Sequence, residues 1–163
     1  MDILLICKDG DESSVLTNAA VAMDAVKAGK SAAILFTGSA LAGLAGRGFQ
    51  WPQGLNDRGA RSLIARSATA LGYPFADERD GRMSDVNRLI KSAKEAGVQI
   101  WGCPVWGRIL GVDGAGDPAS GPQRARPGES SFWVTTLPSE ITTISKAQML
   151  DELQSAKTIV GGF

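Results

Sequence analysis

The residue best placed for chemistry is Cys103, because it stands where a buried strand pattern meets the start of a helix. Residues 98–103 (VQIWGC) form an apolar run of strand length, and Pro104 follows directly. Proline suits the first position of a helix, where its missing N–H is not needed. A thiol at a helix start lies near unpaired N–H groups, which favour the thiolate that attacks or accepts sulfur. The pattern predicts a reactive Cys103, with inert burial as the alternative.

The second cysteine, Cys7, ends the apolar run of residues 2–7 (DILLIC). Both cysteines therefore follow strands, and the carboxyl ends of parallel strands share one edge of a sheet, where ligands bind. If the two strands are neighbours, the cysteines lie ~5–6 Å apart, and about twice that distance if one strand intervenes. We expect Cys7 mainly to pack in the core, and its functional interpretation is a resolving thiol for Cys103.

The residues around Cys103 supply the rest of the predicted site. Trp101 precedes it on the strand, and Trp106 opens a short helix predicted over residues 106–110. These tryptophans would line a pocket, or else pack in the core or in a subunit interface. Arg108 lies one helical turn further on, within reach of the sulfur. We predict one catalytic residue, Cys103, with binding surroundings made of Cys7, Trp101, Pro104, Trp106 and Arg108.

The absence of histidine excludes several classes of site. With no His in 163 residues, one chain cannot form a Ser-His-Asp triad, a Cys-His dyad or an imidazole metal site. Two cysteines cannot by themselves complete a four-cysteine zinc or iron–sulfur site. Residues 38–48 are glycine-rich but lack the Lys-Ser/Thr ending of a P-loop and the GxGxxG order of a dinucleotide site. We therefore predict no metal and no cofactor.

The elements that must position Cys103 alternate between strand and helix patterns. Strands are predicted at 2–7, 31–36, 98–103, 132–135 and 157–160. Helices are predicted at 12–28, 57–71, 84–96 and 145–155, with short helices at 39–45 and 106–110. This alternation predicts a three-layer α/β/α sandwich with a mostly parallel sheet of about five strands, in a single domain spanning 1–163. Residues 111–130 read as a long loop that is mobile or becomes ordered on association.

Charge and hydropathy limit the classes of partner that we expect for this protein. Lys plus Arg and Asp plus Glu both number 17, so the formal net charge is zero. Nucleic-acid binders usually carry a basic excess, so we predict no nucleic-acid partner. No apolar run approaches the roughly 20 residues of a membrane span, and Asp2 stands where a signal peptide is basic. We predict a cytoplasmic protein with reduced thiols and no membrane contact.

Three blocks of the sequence resemble the DsrE/DsrF-like sulfur-relay family. They are the opening ILLICKDG…NAAVAMDAVKAGKSAAILFTGSAL, the central DVNRLIKSAKEAGVQIWGCPVWGRILGV and the ending ISKAQMLDELQSAKTIVGGF. The resemblance covers most of the chain except residues 48–81 and 114–131. In sulfur-relay members, a cysteine at the end of this strand carries sulfur as a persulfide, and Cys103 occupies the matching position. The resemblance also implies a homo-oligomer, often a trimer or hexamer, and a sulfur-relay partner protein.

Three functions remain open at this point. The leading one is a DsrE-family protein that handles sulfur through Cys103, as a persulfide carrier or sulfurtransferase-like relay. The alternative is an oligomeric module that binds a small ligand or a partner without catalysis. A thiol peroxidase is the third, disfavoured because no T-x-x-C-type motif surrounds Cys103. Four tryptophans and an apolar content of 44% favour self-association in any of these cases.

Overall fold

The computed structural model describes residues 1–112 and 137–161, and within them the strands form one parallel sheet. The strands are β1 (Ile3–Cys7), β2 (Ala32–Phe36), β3 (Gln99–Gly102), β4 (Thr142–Thr143) and β5 (Thr158–Gly161). Their order across the sheet is β4-β3-β2-β1-β5, and every neighbouring pair is parallel. The predicted α/β fold with a parallel sheet of five strands is confirmed.

Six α-helices connect or flank these strands in the described part of the chain. They are α1 (Glu12–Lys27), α2 (Gly38–Ala42), α3 (Arg58–Ala70), α4 (Val86–Glu95), α5 (Pro104–Leu110) and α6 (Lys146–Ser155). Local capping explains where three of them begin. The side chains of Asp57, Asp85 and Ser145 each accept a hydrogen bond from a backbone N–H in the first turn of α3, α4 and α6.

The direction in which the chain crosses the sheet decides which face each helix covers. From β1 to β4 the chain steps one way, and right-handed crossovers then keep the connecting helices on one face. Val15 of α1 and Leu89 of α4 accordingly share a buried cluster with Leu5 and Ile34. The return from β4 to β5 reverses direction, so α6 covers the other face. We call the face of the sheet that α1 and α4 cover the α1 face, and the face that α6 covers the α6 face.

The α6 face has a smaller buried cluster than the α1 face. It consists of Leu4, Ala33, Leu35, Trp101, Cys103 and Ile144. From α6, Met149 and Leu153 pack on it half-buried, and no residue of that helix is fully buried. Leu150, which the helical pattern predicts as a core position, is instead 53% exposed. A single helix over a sheet contacts it along one narrow stripe, and Leu150 lies beside that stripe.

One strand of the described residues was not predicted from the sequence. The fourth strand is Thr142–Thr143, flanked by the buried Ile141 and Ile144. Two β-branched residues are too short a run to be recognised as a strand without the neighbouring β3. The strand predicted at residues 132–135, and the predicted loop from residue 113 onwards, lie outside the described residues.

Candidate functional site

Cys103 lies at the carboxyl edge of the sheet, between the end of β3 and the start of α5. Its backbone N–H donates to the carbonyl oxygen of Phe36 on β2 at 2.9 Å, which continues the ladder by one residue. Its own carbonyl accepts from the N–H of Gly107 at 2.7 Å, the first bond of α5. Pro104 occupies the first turn of that helix, as the sequence predicts, and the Cys103 side chain makes no capping hydrogen bond. The two backbone bonds tie Cys103 both to β2 and to the first turn of α5.

The thiol of Cys103 points into the α6 face and is nearly covered. Cys103 is 6% exposed and belongs to the same buried cluster as Trp101 and Ile144. Trp101 precedes it by two residues, and residues two apart on a strand share a face. The structure therefore brings Trp101 and Cys103 together, with the apolar side of α6 as the third wall.

Helix α5 turns an apolar surface outward next to this thiol. Gly107 and Leu110 are buried against the fold, whereas Val105, Trp106 and Ile109 are all exposed. We call these three residues the α5 surface. Arg108 is also exposed. Contiguous exposed apolar side chains mark interaction surfaces more often than scattered ones do, so Trp106 belongs to a surface beside Cys103 and not to a closed pocket around it.

Cys7 does not join this site. It is fully buried on the α1 face, and burial, with a smaller effect of the Asp9 charge, raises its pKa to about 12. Cys7 pairs with Phe36 of β2, which in turn pairs with Gly102 of β3, so one strand intervenes between the two cysteines. Their separation is then about 10 Å. The structure thus places Cys7 away from the Cys103 site, and the interpretation of Cys7 as a resolving thiol has no geometric support.

The sequence pattern does not identify the partly buried carboxyl group of Glu12. Glu12, the first residue of α1, has one carboxylate oxygen that is buried without a hydrogen-bond partner. Hydrogen bonds with Ser84 and Trp51 tend to lower the pKa of Glu12, but desolvation outweighs them and raises it. In sequence, an acidic residue at a helix start is ordinary. No local signal identifies Ser84 and Trp51 as its neighbours, since they are distant along the chain.

A polar cavity of about 400 Å³ opens elsewhere at the carboxyl edge, beyond β1 and β2. Asp11, Ser39, Arg47 and Gln50 are among the residues that line it. The segment bearing Gln50 is held in place because the Gln50 N–H donates to Gly10 and the Glu12 N–H donates to Gln50. None of the lining residues belongs to α5 or to the cluster around Cys103. This cavity is therefore separate from the thiol site.

Comparisons with known proteins identify no family for this chain. No protein-family model matches the chain, and no curated protein matches it significantly. Within residues 1–112 and 137–161, no three Cys, Asp or Glu side chains are grouped as they would be around a metal ion. Over the same residues, no helix has both the length and the apolar character needed to cross a bilayer.

Proposed function

We propose that this protein handles sulfane sulfur through Cys103, as a persulfide carrier or sulfurtransferase-like relay of the DsrE type. The observation that carries the proposal is the place of Cys103 in the fold. Cys103 directly follows β3, an inner strand, at the carboxyl edge of a parallel sheet, where folds of this class hold their ligands. The sequence block that resembles the DsrE family, DVNRLIKSAKEAGVQIWGCPVWGRILGV, is the one that forms α4, β3 and α5 around it.

The transfer needs no outside oxidant. The Cys103 thiolate attacks the outer sulfur of a donor persulfide, R–S–SH, and a new S–S bond forms at Sγ. The donor S–S bond breaks, its electron pair leaves on R–S⁻, and this thiolate takes up the proton that Cys103 released. Passing the sulfur onward repeats the same exchange, with an acceptor thiolate attacking the outer sulfur of the Cys103 persulfide.

The surroundings of the thiol suit a carrier. A persulfide on Cys103 would extend from a site walled by Trp101, Ile144 and α6, which limits its contact with water and small reductants. The α5 surface lies immediately next to it and offers apolar contacts for the relay partner protein. Two free cysteines fit a reducing cytoplasmic compartment.

We also propose that the protein is a homo-oligomer. Exposed apolar side chains on α5, on α6 and on β5 give it several surfaces that association would cover. The formal net charge of zero removes long-range repulsion between identical copies.

Persulfide transfer to defined cysteine variants tests the proposed chemistry. The protein is incubated with glutathione persulfide, freed of the donor and analysed by mass spectrometry of the intact chain and of its peptides. Wild type and Cys7→Ser are expected to gain one sulfur atom on Cys103, and Cys103→Ser is expected to gain none. A parallel sample treated with hydrogen peroxide tests for sulfenic acid at Cys103, which would favour a peroxidase. A persulfide that survives Cys103→Ser would overturn the proposal.

The near-complete burial of Cys103 favours one alternative, a binding module without catalysis. In that case Cys103 is a wall residue, and the exposed α5 surface is the functional feature. Wild type would then take up no sulfur, whereas Trp106→Ala would weaken association with a partner while Cys103→Ser would not. The carrier proposal instead expects wild type to take up sulfur, and it expects Cys103→Ser to reduce that uptake more than Trp106→Ala does.

A further inference from the structure

Strand β5 has backbone N–H and C=O groups that form no hydrogen bond with any described strand. It forms one edge of the sheet, beside β1. The N–H of Thr158 donates to Asp2 at 3.0 Å, so Thr158 and, by alternation along the strand, Val160 direct their backbone groups toward β1. The N–H and C=O groups of Ile159 and Gly161 consequently point away from the sheet.

Within β5 itself, two of the usual guards of an open edge are absent, a charged side chain and a proline. Proteins protect open edges with charged side chains, proline, bulges or very short strands. Strand β5 (TIVG) has no charge and no proline. Lys157, just before it, is held by Asp2 at 2.7 Å. The opposite edge, β4, is only two residues long. Among the described strands, β5 is therefore the edge that is open to another strand.

The α6 face next to this edge is apolar and incompletely covered. Ile159 pairs with Leu4 of β1, so its side chain lies on the α6 face, where it is 44% exposed. Leu150 of α6 is exposed as well. Gly161 pairs with Ile6, and a Cβ added at Gly161 would lie 3.9 Å from the Cβ of Ile6. The missing side chain at Gly161 leaves Ile6 only half-buried and leaves space beside it.

We infer that a second copy of this chain pairs with β5 in antiparallel orientation about a two-fold axis. Ile159 lies opposite Gly161 of the second copy, and Val160 lies opposite its own symmetry mate. This register uses the outward-pointing backbone groups and forms four hydrogen bonds across the axis. It also places each Ile159 side chain in the space beside the other copy's Gly161, where it covers Ile6.

The occupant is a second copy because the edge is complementary to itself. In this register no like charges face each other, since the strand is uncharged and Lys157 is already paired with Asp2. The two α6 faces become continuous, which brings the two copies of Leu150 to the same side of the joined sheet. The inference specifies the contact for the proposed self-association and does not depend on the sulfur chemistry. A two-fold contact of this kind generates a dimer, or a hexamer when combined with a three-fold axis.

Two substitutions at one position test the contact. Ile159→Pro removes an outward N–H that β1 does not use, so the fold should tolerate it at an edge. Ile159→Lys puts a charge into the proposed interface. The matched control is Leu63→Lys, which makes the same change of side-chain type at a residue that is 59% exposed on α3, a helix of the opposite, α1 face. Masses are measured by sedimentation equilibrium over a range of micromolar concentrations, and circular dichroism verifies that each variant is folded.

Wild type and Leu63→Lys are expected to have an even number of subunits, and both Ile159 variants are expected to dissociate at least about tenfold more readily. If Ile159→Pro fails to fold, Ile159→Lys decides the result. A wild type that is monomeric at every concentration would overturn both the self-association and this contact. An oligomer that neither Ile159 variant weakens would overturn the β5 contact alone. Persulfide uptake at Cys103 is measured separately, so its failure is distinguishable from either result.

Discussion

Cys7 and Cys103 lie on opposite faces of the same sheet, with Phe36 of β2 between them. Phe36 is the register partner of Cys7, and its carbonyl oxygen accepts the hydrogen bond from the N–H of Cys103. Cys7, Phe36 and Gly102 face the α1 side, and Cys103, one residue beyond Gly102, faces the α6 side. The two thiols thus share an edge of the sheet but have different environments and different access to solvent.

The first prediction concerns thiol reactivity. In the folded protein near pH 7, iodoacetamide is expected to label Cys103 at least about tenfold faster than Cys7, because a thiol whose pKa is about 12 is almost entirely protonated. Cys7 is also fully buried, whereas Cys103 is 6% exposed at a strand-to-helix turn. Peptide mass spectrometry over time gives the two rates. In guanidinium chloride the two cysteines should label at similar rates, and similar rates in the folded protein would contradict the prediction.

The second prediction is that oxidation forms no disulfide within the folded chain. A disulfide requires Cα atoms within about 7 Å, and two cysteines separated by one strand and facing opposite ways do not meet this requirement. Diamide treatment followed by non-reducing peptide mapping is expected to yield no Cys7–Cys103 link. Any cross-link should join Cys103 residues of two chains and disappear in Cys103→Ser. An intramolecular link formed without loss of the native circular dichroism spectrum would show that this geometry is wrong.

The third prediction concerns the buried carboxyl of Glu12. Its pKa is raised in the folded state, mainly by burial and also by the charge of Asp85, against the opposing effects of Ser84, Trp51 and Arg61. The folded state therefore binds the proton more tightly than the unfolded chain does. Protonation of Glu12 therefore contributes fully to the free energy of unfolding below the pKa of the unfolded state. This contribution is lost as the pH rises through the pKa of the folded state. Glu12→Gln, which stays neutral, should lose this pH dependence.

The measurement for Glu12 is the difference in Tm between Glu12→Gln and wild type from pH 4 to pH 7. The Tm of Glu12→Gln is expected to rise relative to the Tm of wild type as the pH rises. Glu95→Gln at the exposed end of α4 is the control for the same change of side-chain type on the surface. A difference for Glu12→Gln that stays flat or falls with pH would show that the carboxylate is stabilised by its partners.

The fourth prediction links packing to the thiol site. Trp101→Ala removes a buried wall beside Cys103 and should lower the free energy of unfolding by about 3–5 kcal/mol. The exposed Leu63→Ala should change it by no more than about 0.5 kcal/mol. Urea unfolding measures both. In conditions where Trp101→Ala remains folded, labelling of Cys103 should accelerate and that of Cys7 should not. An unchanged Cys103 rate would mean that Trp101 does not shield the thiol.

Much of the fold is encoded locally and is readable from the sequence. Apolar runs predict β1, β2, β3 and β5 to within two residues. Short-range capping places the starts of α3, α4 and α6, because a side chain at the cap position bonds to an N–H three residues later. The shared edge of Cys7 and Cys103 follows from parallel pairing alone, and the structure confirms it. Exposure is less local, as Leu63 shows: the helical pattern predicts it inward, but α3 buries only Ala65 and Ala68.

The amino-acid sequence by itself determined the types of most elements, the parallel sheet and the position of Cys103 at a strand end, since these depend on residues close together in the chain. Only the tertiary structure decided the strand order, the face that each cysteine occupies and the neighbours of Glu12. The physical reason is that side chains alternate across a strand, so a shift of one residue in pairing moves a thiol to the other face. Pairing register is set by contacts between distant segments, such as Phe36 with Gly102, and no local pattern contains that information.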